Sequence, residues 1–492
     1  MLRMIWWLQV LAEGAAVAAL LWLNMIPEKY MMVLGGGLLL LTLFTGMLML
    51  PRRISPLGSG FGVFISFLIF LLSCGVTLLA MDTMGRVSST TGHGSGQLVQ
   101  AVYVRTDDPA QNLADTAGYR FAVIAGYGVD DAVASVEKEL GGDITITEYD
   151  GPSALLDAFF GGREDALILN SAYVRLLEEL DGYADFSSRV RALYETTGDA
   201  WKSGLLDAVG GLFEGQSEKS SITKDPFVVY FSGSDTRNKK LATSRSDVNI
   251  LMVVNPKTKQ ILLLNTPRDY YIPNPQSSSG QRDKLTHCGI YGIECSMEAL
   301  STLYGVEVPY YAQINFTGFE TLIDAIGGVT VHCDKSFTAS NGVRFSAGEI
   351  ELDGVNALTF ARERYNLAGG DNARGQNQMK VIKAVVQKMT SGTTLLSNYG
   401  DIMESLEGMF ATSLTGDEIS KLVKMQLNDL AQWNIQSYAV TGKNGKEITY
   451  SMPGTKLSVM YPDEGMVAYG SQLIQKVLSG ETLTEADMTY HK

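Results

Sequence analysis

Cysteine and histidine are scarce: four of each in 492 residues. No Cys–His combination argues for a thiolate nucleophile. A zinc site is disfavoured too, because only His287 stands near Cys288 and Cys295 and no CxxC pair of the zinc-binding kind accompanies them. An excess of basic residues is also missing. Lys and Arg number 39 against 53 Asp and Glu, a net charge of −14. Nucleic-acid binders present a basic surface, and no DNA-binding motif stands in the chain, so nucleic acid is excluded as a partner. The deficit leaves room for a local basic pocket that takes an anionic ligand.

Long apolar runs are present, all in residues 1–83. Ile5 to Ile26, Met31 to Leu50 and Phe61 to Leu79 are each long enough to cross a hydrocarbon core of about 30 Å. Three spans in close succession argue against a cleaved signal peptide. Glu13 lies inside the first, either as a functional intramembrane carboxylate or packed against a neighbouring helix. Arg3 and Arg52-Arg53 flank the spans on one side. The positive-inside rule then puts the N-terminus in the cytoplasm and everything after Met81 outside a bacterial plasma membrane. Residues 84–99 are rich in Ser, Thr and Gly and read as a linker. In 100–197 short strands alternate with helical patterns, which implies parallel pairing. This unit resembles half of a periplasmic solute-binding protein. It carries no phosphate or metal motif and is expected to be an accessory spacer or interaction domain, dispensable for chemistry. A second linker covers 198–224, and the tail 481–492 is polar and expected to be loose.

The chemistry-bearing residues begin in 225–480. Phe227 to Phe231 reads as a buried strand ending in Ser232-Gly233-Ser234-Asp235. Arg245-Ser246-Asp247 opens a second strand, and a third, Ile261 to Asn265, runs into Pro267-Arg268-Asp269. Carboxylates and arginines thus gather at strand ends, where α/β sheets place ligands. Each piece alone reads equally well as a turn cap or a surface pair. Further charges of the same kind recur downstream. Ala361-Arg362-Glu363-Arg364 spaces two arginines by two, which in an extended segment puts both on one face. Asp371, Arg374 and Gln378 open a helix, with Arg374 and Gln378 on one face at i, i+4.

The set GSDTR, RSD, TPRD, Lys284, Ile326-Gly327-Gly328-Val329, Leu352-Asp353-Gly354, ARER and DNARGQNQ resembles the LytR–CpsA–Psr (LCP) family. These are membrane-anchored bacterial enzymes that attach glycopolymers to the cell wall. The resemblance runs from Phe227 to Leu478, in the family's motif order. It departs at Val248, where the family often has Thr, and at Asn377, where it often has Arg. The second departure removes one phosphate contact. The expected fold is α/β: three N-terminal transmembrane helices, a small accessory α/β domain, and a C-terminal LCP-type α/β/α sandwich with a mixed central sheet.

The chemistry of the residues agrees with what the resemblance implies. Arginine's planar fork matches phosphate oxygens and stays charged in any surroundings. Carboxylates repel the same ligand unless a cation lies between, and Mg²⁺ is typically held by one or two carboxylates plus substrate phosphates. Asp235 and Asp247 therefore read as ligands for Mg²⁺, with Mn²⁺ as a substitute, and Arg268, Arg362, Arg364 and Arg374 as a phosphate clamp. Arg245, Lys284, Asp269, Asp371 and Gln378 complete the substrate side. Arg245 and Lys284 also suit holding the carboxylates, and Asp269 suits pairing with an arginine. No residue stands out as the general base.

The resemblance implies binding of a polyprenyl-pyrophosphate-linked glycopolymer with its lipid tail in an apolar tunnel, and transfer of the glycan phosphate to a peptidoglycan hydroxyl. Membrane lipid and peptidoglycan are then the surroundings it works in. A pyrophosphatase, with water as acceptor, and a non-catalytic lipid-glycan-binding regulator are the alternatives. Cys288 and Cys295 bound a short loop on the outward side, where a disulfide is expected.

Overall fold

The computed structural model describes residues 2–51, 56–90, 98–124, 129–198, 221–236, 241–367, 369–391, 402 and 404–491. Of the two expected linkers, 91–97 and 199–220 lie outside these, whereas 84–90, expected as linker, continue the third apolar helix. The three apolar runs form helices α1 (Leu2–Leu23), α2 (Glu28–Met49) and α3 (Pro56–Thr90), each long and apolar enough to cross a membrane. Glu13 is buried among them and accepts hydrogen bonds from Gln9 Nε2, at 2.7 Å, and from Thr42 Oγ1. Its carboxylate is therefore satisfied by its own helix and by α2.

The next segment forms a five-stranded sheet from β1 (Leu98–Arg105), β2 (Arg120–Ile124), β3 (Thr145–Tyr149), β4 (Ala166–Asn170) and β5 (Val190–Gly198), in the order β3-β2-β4-β1-β5. The expected parallel pairing holds for β2 with β3 and β4, whereas β1 pairs antiparallel with β4 and β5. One of its faces shares a core with the rest of the molecule. Leu155, Leu176, Leu177 and Phe186 pack in one cluster with Ile290, Met452 and Leu457. Tyr173 Oη and Tyr291 Oη lie 3.1 Å apart, and Asn170 Nδ2 donates to the Ile290 carbonyl at 3.0 Å.

The larger sheet is mixed. It uses β6 (Phe227–Ser234), β7 (Ser246–Asn255) and β8 (Gln260–Asn265), and then, beyond a short ribbon of β9 (Tyr271–Pro273) and β10 (Arg282–Lys284), the strand β11 (Tyr310–Asn315). Two strands from later in the chain, Phe410–Thr412 and Asn434–Ala439, form its edges. Successive side chains of a strand point to opposite faces. Val228, Tyr230, Leu251 and Leu262 accordingly pack with the helices Ile293–Tyr304 and Glu464–Ser479. Phe227, Val229, Ile250 and Leu263 pack on the other face with Met379 and Ile382 of the helix Asp371–Thr390.

Three expectations are corrected. Cys288 and Cys295 are free, buried thiols rather than a disulfide. Cys295 Sγ donates to Asn274 Oδ1 at 3.6 Å, and the hydrogen bond with Cys295, together with burial, pushes the Cys288 thiol well up. With its proton held, Cys288 lacks the thiolate that disulfide exchange needs. The tail is tied down: Leu483 is buried, Lys476 Nζ meets Asp487 Oδ1 at 2.8 Å, and Tyr490 packs on the core. Arg362 ends a helix, Gly354–Arg362, rather than lying in an extended segment. Asp353 caps that helix by accepting from the Asn356 N–H at 2.8 Å, which accounts for the Leu-Asp-Gly signal.

The large sheet also meets the apolar helices. Ile419, Val423 and Leu427 of the helix Gly416–Asp429 pack with Leu20 and Leu23 of α1, with Met25, and with Ala80 and Met84 of α3. Lys424 Nζ donates to Asn24 Oδ1 at 3.2 Å, and Lys29 Nζ donates to the Asn428 carbonyl.

Candidate active site

The ends of β6, β7 and β8 converge on one cleft. A register shift between Gly233 and Ser234 brings Ser234 opposite Ser246. A buried hydroxyl network holds that turn: Tyr230 Oη lies 2.8 Å from Ser246 Oγ and donates to Asn249 Oδ1 at 2.7 Å, and Ser232 Oγ lies 2.8 Å from Ser246 Oγ. Asp247 is thereby fixed at the start of β7. Glycine is required beside it. A Cβ on Gly289 would lie 2.5 Å from the Ser244 carbonyl oxygen, and one on Gly375 would lie 2.6 Å from Asn265 Nδ2. The second close approach lets the helix Asp371–Thr390 bring Arg374 and Gln378 to the cleft.

The cleft is lined by Asp235, Arg245, Asp247, Arg268, Arg362, Arg364, Arg374 and Gln378, together with Glu179 and Arg175. All six residues expected as metal ligands or clamp are therefore in one place. Arg268 Nη1 meets Asp247 Oδ1 at 2.5 Å, and Arg245 Nη2 meets Asp235 Oδ2 at 3.1 Å. Asp269 Oδ1 lies 3.6 Å from Arg268 Nε and 3.5 Å from Lys284 Nζ. Lys284 and Asp269 thus sit behind the clamp, in contact with it. Asp371 opens the helix, but its side chain lies outside the described residues.

Burial alone would raise the Asp247 carboxyl. Arg268, Arg245 and Arg374 outweigh it and hold the group below the usual carboxylate range. Asp269 behaves alike, with burial opposed by Arg268 and Lys284. Both are therefore charged at neutral pH. The other side of the cleft is different. Arg362 lies over the Phe316 ring at 4.3 Å and Arg364 over the Tyr365 ring at 4.6 Å. Among the described residues neither has a carboxylate partner. Arg364 Nη2 donates to Tyr365 Oη at 2.5 Å, and the guanidinium lowers the Tyr365 hydroxyl.

Two carboxylates escaped the sequence reading. Glu363 is buried and accepts from the Arg364 and Asn366 N–H groups, each at 3.0 Å, and from Ser340, so it sets the loop that carries Arg364. Glu179 comes from the five-stranded unit and meets Arg245, Lys284 and Arg268. Burial would raise it, but Lys284 and Arg245 hold it below the usual range. No motif marks it. Only the fold brings it 66 residues along the chain to Arg245.

A small apolar cavity of about 40 Å³ adjoins the cleft, lined by Phe231, Val248, Ile314, Phe319, Leu358 and Ile382. Arg362 and Gln378 line both spaces. Val248, the departure at RSD, therefore faces an apolar volume.

Fold and site define a protein with three apolar N-terminal helices and a mixed α/β sheet whose strand ends carry an arginine–carboxylate cleft beside an apolar cavity. The model of the LytR_cpsA_psr family matches residues 207–461. The chain belongs to this family. It is 34% identical over 212 residues to a polyisoprenyl-teichoic acid–peptidoglycan teichoic acid transferase TagU of Enterococcus faecalis, covering 42% of this chain and 69% of that protein. The corresponding TagU of Bacillus subtilis is 30% identical over 246 residues, covering 50% of this chain and 74% of that one. The crystal structure of B. subtilis TagU aligns with 26% identity and a TM-score of 0.41, over 53% of this chain and 100% of that one.

Proposed function

We propose that the chain transfers a glycopolymer phosphate from a polyprenyl-pyrophosphate carrier to a hydroxyl of peptidoglycan. The relatives named as teichoic acid transferases support glycopolymer attachment. The observation that carries the finer reading is the junction of a charged cleft with an apolar cavity at Arg362 and Gln378. A lipid-linked pyrophosphate has the same two-part character. Residues 225–480 act as an LCP-type α/β/α sandwich, and the five-stranded unit of 100–197 as an accessory domain. The N-terminus is cytoplasmic and the sheets are extracytoplasmic, following the flanking arginines.

In this reading Arg362, Arg364, Arg374 and Arg268 hold the pyrophosphate. Charge-assisted bonds of this kind are each worth about 1.5–3 kcal/mol. The acceptor hydroxyl oxygen forms a bond to the glycan-side phosphorus. The bond from that phosphorus to the bridging oxygen breaks, and polyprenyl phosphate leaves with the electron pair. The hydroxyl proton passes to water or to the departing phosphate. Phosphoryl transfer asks mainly for positioning and charge stabilisation, and the arginines supply both.

Asp235 and Asp247 are oxygen donors lining one cleft, each paired with an arginine, and are the two carboxylates that would hold Mg²⁺ together with substrate phosphates; among the described residues no group of three such donors gathers there. Bound there, the ion would offset charge on the phosphate oxygens. The test is incubation of the protein with a synthetic polyprenyl-pyrophosphoryl glycan and peptidoglycan oligomers, with and without Mg²⁺. Linked product is expected. Free glycan phosphate as sole product would mean a hydrolase, and tight binding without any product a regulator.

A further inference from the structure

Glu179 follows the short helix Val174–Leu177 in the five-stranded unit. Its N–H closes a turn onto the Leu176 carbonyl at 3.0 Å, and Leu176, Leu177 and Leu180 around it are buried. The turn is thus anchored in its own unit while its carboxylate reaches into the other. The two oxygens serve different cations. Oε1 pairs closely with Arg245 Nη1 and lies 3.9 Å from Arg268 Nη2, and Oε2 lies 3.3 Å from Lys284 Nζ. These cations come from the segment before β7, the turn after β8 and the end of β10. Each also has a carboxylate from its own sheet: Asp235, Asp247 and Asp269 respectively. Arg245 is consequently gripped at both terminal nitrogens, with its side chain only 11% exposed. Across the cleft, Arg362 and Arg364 rest on aromatic rings, with no carboxylate partner among the described residues.

We propose that Glu179 is a positioning residue of the transfer site, contributed by the N-terminal sheet. It pins Arg245 and Lys284 among the carboxylates, on the side that takes a cation, and leaves the anion to Arg362 and Arg364. The inference rests on the transferase reading for the identity of that anion and on the geometry for the rest. Without Glu179, Arg245 keeps one partner and is free to turn toward a phosphate. The cleft also becomes one charge more positive. It should then bind anions more tightly and cations more weakly, by about tenfold for a unit charge acting across ~10 Å at an effective dielectric of ~20.

The experiment uses the full chain in lipid nanodiscs. Glu179→Gln is nearly isosteric, and the packing of Ile290, Met452 and Leu457 against the N-terminal sheet does not depend on its charge. Calorimetric titration with Mg²⁺ alone should show weaker binding than wild type, and titration with inorganic pyrophosphate alone should show tighter binding. In turnover with the lipid-linked donor, KM should fall while the Mg²⁺ concentration for half-maximal rate rises. Glu179→Asp, which keeps the charge on a shorter stem, should restore part of this pattern. Asp181→Asn removes the same charge from an exposed neighbour and should leave every value at wild type. Wild-type affinities for both ions in Glu179→Gln overturn the proposal. So does a higher rate at every Mg²⁺ concentration, which would mark Glu179 as an internal plug. If the opposed shifts appear but wild type makes no linked product, the transferase reading fails and the role of Glu179 stands. If wild type transfers and the shifts are absent, only the role of Glu179 fails.

Discussion

Asp283→Asn is expected to destabilise the protein strongly, and the structure gives the reason atom by atom. Asp283 is fully buried. Its Oδ1 accepts from the Lys284 N–H at 2.8 Å and lies 2.5 Å from His287 Nδ1. Its Oδ2 accepts from Asn274 Nδ2 at 3.2 Å, from the Ser451 N–H at 2.9 Å and from Ser451 Oγ. An amide in its place must turn an NH₂ toward one of these donor sets. One backbone N–H then loses its acceptor, at about 1–3 kcal/mol, and the His287 contact loses its charge. A loss of that size is a large fraction of the roughly 5–15 kcal/mol that holds a protein together. At roughly 2–4 °C per kcal/mol for a cooperative unit of about 250 residues, the melting point should fall by about 2 °C or more. Thermal melts of the detergent-solubilised full chain, followed by intrinsic fluorescence, measure it.

The pH dependence supplies a second check. Burial would raise the Asp283 carboxyl, but His287 and the Ser451 hydrogen bonds outweigh it and hold it below its ordinary value. A depressed carboxyl stabilises the fold fully above its unfolded-state value, about 3.9, and the contribution is lost as pH falls through the folded value. The gap between wild type and Asp283→Asn should therefore be widest near neutrality and narrow below about pH 4. A variant melting within about 1 °C of wild type at pH 7 would falsify this account.

Three more outcomes are expected. Arg362→Ala should lower turnover by about 10³-fold or more, with Arg362→Lys recovering only part, because an ammonium cannot reproduce the planar fork; near-normal turnover in the alanine variant would remove Arg362 from the clamp. A chain beginning at Ser221 should aggregate or lose turnover, since it uncovers Ile290, Met452 and Leu457 and lacks Glu179. Full activity in a soluble truncation would restore the spacer expectation. An alkaline phosphatase fused after Lys492 should be active and one fused at Arg53 inactive, and the reverse pattern would invert the proposed orientation.

Local pattern made the strands β6 to β8, the helix Asp371–Thr390 and the three apolar helices readable, because alternation and apolar length are properties of contiguous residues. The convergence of Asp235, Asp247 and the arginines was readable from strand ends for the same reason. What escaped depended on contacts distant in sequence. Glu179 sits in a Leu-Leu-Glu-Glu-Leu run that looks like any amphipathic turn. The hairpin Gly442–Thr449 with Met452–Pro462 begins with glycines and lysines, which are poor strand formers, and is held by its register and by packing on the five-stranded sheet. The Cys-bounded loop suggested a staple, but both thiols are free and packed inside the core as small apolar groups. ARER has the spacing of a strand face, yet the Asp353 cap starts a helix that swallows its first arginine.

The packing of Gly416–Asp429 on α1 and α3 has a mechanical meaning. A catalytic unit on a slack leash explores a hemisphere above the bilayer, and its range grows with leash length. Here α3 rises as one helix of 35 residues, about 52 Å at 1.5 Å per residue, well beyond a core of about 30 Å. The helix Gly416–Asp429 packs on that post at Ala80 and Met84, toward its C-terminal end. The working height of the sheet is then a constant of the architecture, like the fixed head of a lathe. On the transferase reading, wall strands have to be fed to it, and only those in the lamina next to the membrane come within reach.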